Sequence, residues 1–98
     1  MANRTVFPNG TNVYKVWFGG GAAGDHTVDS SFGVEDGDVV GQVIALKVDT
    51  DGTFGTALDL TSEFTSPIGS DNTLNNTGGT ATTGYLIEAL LFDQNPND

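Results

Sequence analysis

VVGQVIALKV (residues 39–48), DTDGT (49–53) and FGTALDL (54–60) decide the fold, because together they read as a β-hairpin. Both arms are rich in Val, Ile, Leu and Phe, and the link between them holds the Asp-Gly pair that favours tight turns. A three-residue loop, Thr50-Asp51-Gly52, would put Gly52 in the left-handed position of a G1 bulge. Val48 then opposes Phe54, Leu46 opposes Thr56, and Ile44 opposes Leu58. A loop one residue longer would set Lys47 against Phe54 and Ile44 against Ala57, and the apolar faces would no longer match. A one-residue slip turns every side chain to the wrong face, so the shorter loop is expected.

Two further runs flank this hairpin. VYKVWF (13–18) follows the turn-like Pro8-Asn9-Gly10, and its alternation puts Val13, Lys15 and Trp17 on one face, with Tyr14, Val16 and Phe18 on the other. GYLIEALLFD (84–93) also contains good helix formers. It has no N-cap pairing and no basic last turn, and carries an aromatic at each end, so it reads as a buried strand. These strands carry apolar residues on both faces, and such strands need covering on both faces. In so short a chain one cover is expected to come from another molecule.

The remaining segments are loop-like. Gly19 to Ser31 is glycine-rich, with a possible short strand through Val28, Phe32 and Val34. Thr61 to Thr83 is a long Thr/Ser/Asn/Gly stretch anchored by Phe64, Pro67, Ile68 and Leu74. Its length marks it either as a contact loop or as a surface loop pinned by Phe64 and Ile68. The ends, MANRT and QNPND, read as flexible tails. The expectation is one all-β domain over residues 1–98, an antiparallel sandwich or small barrel with long Gly/Thr/Asn-rich loops.

Charge excludes several partners. Thirteen Asp and Glu against three Lys and Arg give a formal net charge of -10. The cations Arg4, Lys15 and Lys47 are scattered, so phosphate-rich partners are repelled, and neither nucleic-acid binding nor an anionic membrane surface is expected. The chain has no cysteine, hence no disulfide framework and no thiolate metal site. Its opening residues contain no apolar signal core and no 18-residue apolar run occurs, so no export signal is expected. Without export, the N-x-T sequons at Asn3, Asn9 and Asn75 carry no meaning.

Chemistry-bearing motifs fail when tested against their physical requirements. Gly19-Gly20-Gly21-Ala22-Ala23-Gly24 matches G-x-G-x-x-G, but the following Asp25-His26-Thr27-Val28-Asp29 opens no helix for a pyrophosphate. A turn or a close backbone approach is the better reading. Asp49-Thr50-Asp51-Gly52-Thr53 begins like a calcium loop, yet Phe54 stands where that loop needs glycine and Leu60 where it needs a bidentate glutamate. Glu35-Asp36-Gly37-Asp38 reads as a second ordinary acidic turn. His26 reads as a lone exposed histidine in a polar loop, with no triad implied by Asp25, Asp29, Ser30 or Ser31. Glu88 reads as a solvent-facing residue, an edge-strand guard, or a partner of Lys47 or Arg4. Trp17, Tyr14 and Phe18 read as core, with sugar stacking as the alternative. No catalytic, metal or cofactor residue is therefore assigned.

Taken together, MANRTVFPNGTNVYKVWF and GYLIEALLFD, the small size and the acidity resemble the capsid decoration (cement) proteins of tailed bacteriophages. That resemblance implies a non-enzymatic virion component made in the host cytoplasm, an oligomer seated on the outer surface of a phage head against the major capsid protein. It carries over no binding residues, since no family motif aligns. The alternative function is a carbohydrate-binding or adhesive module using Trp17 or Tyr14 and the Asn/Thr loops. A small enzyme would need an acid–base pair or an activated nucleophile, and the sequence offers neither.

Overall fold

The computed structural model describes residues 4–6, by their backbone, and 12–93. The expected turn at Pro8-Asn9-Gly10 and the tail QNPND lie outside the described residues. Among these described residues seven strands form in chain order: β1 (Arg4–Val6), β2 (Asn12–Gly19), β3 (Gly24–Thr27), β4 (Val39–Val48), β5 (Phe54–Asp59), β6 (Thr73–Asn76) and β7 (Tyr85–Phe92). No α-helix occurs among them. Part of the stretch MANRT is thus strand: β1 pairs antiparallel with β2, Thr5 opposite Val13.

Five strands make one antiparallel sheet in the order β1-β2-β7-β4-β5, and β3 and β6 make a separate two-stranded ribbon. The two outermost strands do not pair, so the fold is a small open β-sandwich rather than a closed barrel. GYLIEALLFD is a strand and stands at the centre of the sheet. Its alternation sends Ile87, Ala89 and Leu91 inward, each less than 1% exposed. Tyr14 and Val16 of β2 and Val43 and Ala45 of β4 join them from the two flanks.

Opposite this inner face lies the second layer. Val28, Phe32, Val34, Leu60, Phe64, Ile68 and Leu74 close the core. The expected strand through Val28, Phe32 and Val34 is instead a 3₁₀ turn at Ser30–Phe32. Asp29 ends the extended run there, because its carboxylate accepts from the Ser31 amide at 2.8 Å and favours a turn over a ladder. Nor is residues 61–83 a loose loop. Glu63 Oε1 accepts from the Thr80 amide at 3.1 Å, and Asn76, 1% exposed, gives its Nδ2 proton to the Thr80 carbonyl at 2.9 Å.

The central hairpin turns where expected. The Gly52 amide donates to the Asp49 carbonyl at 2.9 Å, the Asp49 amide to the Thr53 carbonyl at 2.8 Å, and Gly52 has φ +86°. Val48 opposes Phe54, but further on Leu46 opposes Ala57, Ala45 opposes Leu58 and Ile44 opposes Asp59. The expected pairs of Leu46 with Thr56 and Ile44 with Leu58 do not form. One extra residue bulges from β5 between Phe54 and Ala57, and the shift carries Leu58 to the inner face, where it packs against the core. Burial of Leu58 outweighs the lost ladder bond. A second irregularity, at Gly41 of β4, lets Val40 and Val43 both point inward although they are three residues apart.

Candidate functional site: the open face of the five-stranded sheet

Strand parity builds this face. Residues alternate across a strand, so wherever β7 sends Ile87, Ala89 and Leu91 into the core it sends Leu86, Glu88, Leu90 and Phe92 outward. Register places Lys15 and Trp17 of β2 opposite Leu90 and Glu88. On the other flank Gln42, Ile44 and Leu46 of β4 oppose Leu90, Glu88 and Leu86. Val48 and Phe54 extend the face to the hairpin tip.

This layer has no second sheet over it among the described residues. Trp17 is 49% exposed, Phe54 58%, Val48 41% and Phe92 36%, while Ile44, Leu46, Leu86 and Leu90 are half-buried among them. Tyr14 and Phe18 are placed as the sequence predicts, in or against the core. Trp17 is only partly so: its register is that of the outer face and it is half exposed, while its ring meets the core residue Phe32 edge-on at a centroid distance of 4.7 Å. Parity shows that Trp17 and Phe18 point oppositely, but only the chain's second layer decides which side is covered.

Glu88 faces solvent, as one of its expected readings has it, but the edge-strand reading fails and its partner is not Lys47. It sits on the central strand, not at an edge, and it meets Lys15 with Nζ and Oε1 3.8 Å apart. Both ends of that pair are solvated, which limits it to about 0–1 kcal/mol. Lys15, Gln42, Ile44, Glu88 and Leu90 surround a shallow depression of about 200 Å³. Among the described residues the face carries Lys15, Glu88 and, at its β5 margin opposite Ile44, Asp59, so it is nearly neutral on a chain of net charge -10.

Elsewhere the tested motifs resolve into structure. At Gly20 a Cβ would stand 2.1 Å from the Thr82 carbonyl oxygen. The Gly21 amide donates to Thr82 Oγ1 at 3.1 Å, so the glycine-rich loop is a close backbone approach. Asp51 Oδ1 accepts from the Thr53 hydroxyl at 2.7 Å and the Thr53 amide at 3.0 Å. These bonds hold its carboxyl below the ordinary 3.8, the hydroxyl contributing most. Asp59 is lowered in the same way by the hydroxyl and then the amide of Thr61. Asp29 is lowered first by the Ser31 amide.

Two groups depart from the sequence reading. His26 is not exposed in a polar loop. It faces inward from β3 between Phe18 and Phe64, ring centroids at 5.4 and 6.3 Å, with Nε2 buried and unbonded among the described residues. The segment Glu35-Asp36-Gly37-Asp38 is a turn, but its last residue is fully buried. Asp38 Oδ2 accepts from the Tyr14 hydroxyl and from the Glu35 amide at 3.2 Å. Carboxylate oxygens of Glu35, Asp38 and Asp93 lie within 4.8 Å of one another, and none of these side chains is without a protein partner. The missed signal was the position of Asp38 immediately before β4, where inward-facing Tyr14 can reach it.

No helix among the described residues is long and apolar enough to cross a membrane. Comparison of the chain with protein-family models, with curated proteins and with solved structures finds no match in any of the three.

Proposed function

We propose that the protein is a non-enzymatic structural subunit that seats the open face of its five-stranded sheet on a larger assembly, as a capsid decoration subunit on the outer surface of a phage head. The observation that carries this reading is the uncovered aromatic and aliphatic surface centred on Trp17, Leu90 and Phe92. Large apolar side chains gathered on one uncovered face, here around the Lys15–Glu88 pair, tend to mark interaction surfaces. Its near-neutrality supports protein as the occupant, since docking there desolvates few charges while the acidic remainder stays in water. The resemblance to cement proteins in size, acidity and strand content points to the major capsid protein as that partner.

Co-sedimentation tests the reading. Empty shells assembled from the major capsid protein encoded beside this chain's gene are mixed with the purified protein and pelleted. Wild type is expected to pellet with the shells. Trp17→Ala is expected to weaken binding about thirtyfold, because a buried aromatic anchor contributes about 2 kcal/mol or more. A gene with no capsid neighbour, or shell binding indifferent to Trp17, Leu90 and Phe92, would overturn it.

A further inference from the structure

On the other layer of the sandwich, the β3–β6 ribbon turns a polar face away from the core. His26 and Leu74 are opposite each other on the inward side, and the next pair, Asp25 and Asn75, stands on the outward side. Directly opposed residues have Cβ atoms about 4.5–5.5 Å apart, so this carboxylate and carboxamide stand side by side. Beside them the chain segment 65–70 forms a wall, and the two enclose a cavity of about 230 Å³ floored by Ile68.

One polar side chain of the lining is committed, the Thr73 hydroxyl donating to the Asp71 carbonyl at 3.1 Å, and the others contrast with acids elsewhere in the chain. Asp29, Asp51, Asp59 and Asn76 all spend their side-chain oxygens on nearby backbone amides. Among the described residues, the side chains of Asp25, Asn75, Thr65 and Ser70 make no such bond, yet all four line one cavity. Gly69 leaves its backbone bare at the rim: a Cβ there would meet nothing within 4 Å.

From this we infer that the groove binds one ring of a neutral sugar, with Asp25 accepting from two neighbouring hydroxyls and Asn75 both donating and accepting beside it. The chemistry selects among ligands. An anion would meet the Asp25 carboxylate on a chain already at -10. A calcium ion takes six to eight oxygens and would find a single carboxylate. An apolar ligand would desolvate the Thr65, Ser70 and Asn75 groups without replacing their bonds to water. A ligand bearing several hydroxyls satisfies donors and acceptors together, and the cavity lies below the roughly 300–1,000 Å³ of drug-sized sites, which fits a single ring. This inference does not rest on the docking role, which uses the other layer.

Amide spectra of the ¹⁵N-labelled protein, titrated with the methyl glycosides of glucose, galactose, mannose and N-acetylglucosamine, test it. At least one glycoside is expected to give saturable millimolar binding, with shifts at residues 25, 69, 70 and 75. Asp25→Ala is expected to weaken that binding at least about tenfold. Gly69→Leu is the decisive second variant: its backbone is not left-handed and its Cβ has room, so the fold should persist while the side chain fills the groove and abolishes binding. No saturable shift with any of the four glycosides overturns the inference. So do shifts confined to the Trp17 face, or binding that survives Gly69→Leu. In each of those cases capsid co-sedimentation remains a separate measurement.

Discussion

Gly52 shows how one residue fixes a turn. Its φ of +86° is open to glycine and strained for a β-branched residue. Gly52→Val is therefore expected to lower stability by about 1–3 kcal/mol, with no steric clash to confuse the result, since nothing lies within 4 Å of the new Cβ. A melting curve unchanged by the substitution would show that the left-handed turn is not held. In the same loop the Asp51–Thr53 pair sets a pH dependence. The Asp51 carboxyl titrates below its ordinary 3.8 in the folded protein, chiefly through the Thr53 hydroxyl. A group depressed on folding stabilises the fold above its unfolded pKa, and that contribution fades as pH falls through 3.8 toward the lowered value. Thr53→Val removes the hydroxyl and keeps the amide. The gap in melting temperature between wild type and this variant should be constant near neutral pH and narrow below 3.8. A gap that stays constant down to pH 2.5 would mean that the hydroxyl bond does not discriminate the ionised carboxylate.

At the scale of elements, glycines act where two backbones or a backbone and a ring come close. Gly41 lies at the β4 bulge, where a Cβ would come within 2.5 Å of a carbon of the Phe92 ring. That ring belongs to an exposed side chain and can swing aside, so Gly41→Ala is expected to cost at most the usual 1–3 kcal/mol of overpacking. A Cβ added at Gly20 would stand 2.1 Å from the Thr82 main-chain carbonyl oxygen, which is held in place by the Thr82 amide bonded to the Gly21 carbonyl at 2.8 Å. Backbone cannot rotate away, so Gly20→Ala should be the more damaging of the two. Urea unfolding of both variants checks the ranking. Equal losses would show that the Gly20–Thr82 approach can open without penalty.

The whole molecule combines a nearly neutral apolar face with a net charge of -10. If copies associate, the face is where they would attract, and the net charge is what would drive them apart. The Debye length falls from about 30 Å at 0.01 M salt to about 10 Å at 0.1 M, so repulsion fades while the apolar attraction remains. Light scattering is expected to show a mass that rises with salt, and Trp17→Ser combined with Phe54→Ser should hold the protein at the monomer mass throughout. A wild type that stays monomeric at every salt concentration would deny the face any role in self-association. It would leave docking onto a different protein as the remaining use of that face.

Local chemistry determined much of this protein from its sequence. The four main strands, the three-residue turn, the left-handed Gly52 and the pairing of Val48 with Phe54 all follow from two-residue periodicity and turn preferences, which neighbours in the chain settle among themselves. The missing helix after the glycine-rich loop left a turn or a close approach, and the structure decided for the close approach. Tertiary structure alone decided the rest. The β5 bulge turns Leu58, half-buried, against a core that other strands supply, and no pattern within residues 54–60 announces that demand. Alternation separates Trp17 from Phe18 but cannot say which face the second layer covers. Asp38 and His26 look like solvated loop residues until Tyr14, Phe18 and Phe64 arrive from distant positions and remove the water. The pairing of Asp25 with Asn75 spans fifty residues, and only the β3–β6 register brings the two to one groove.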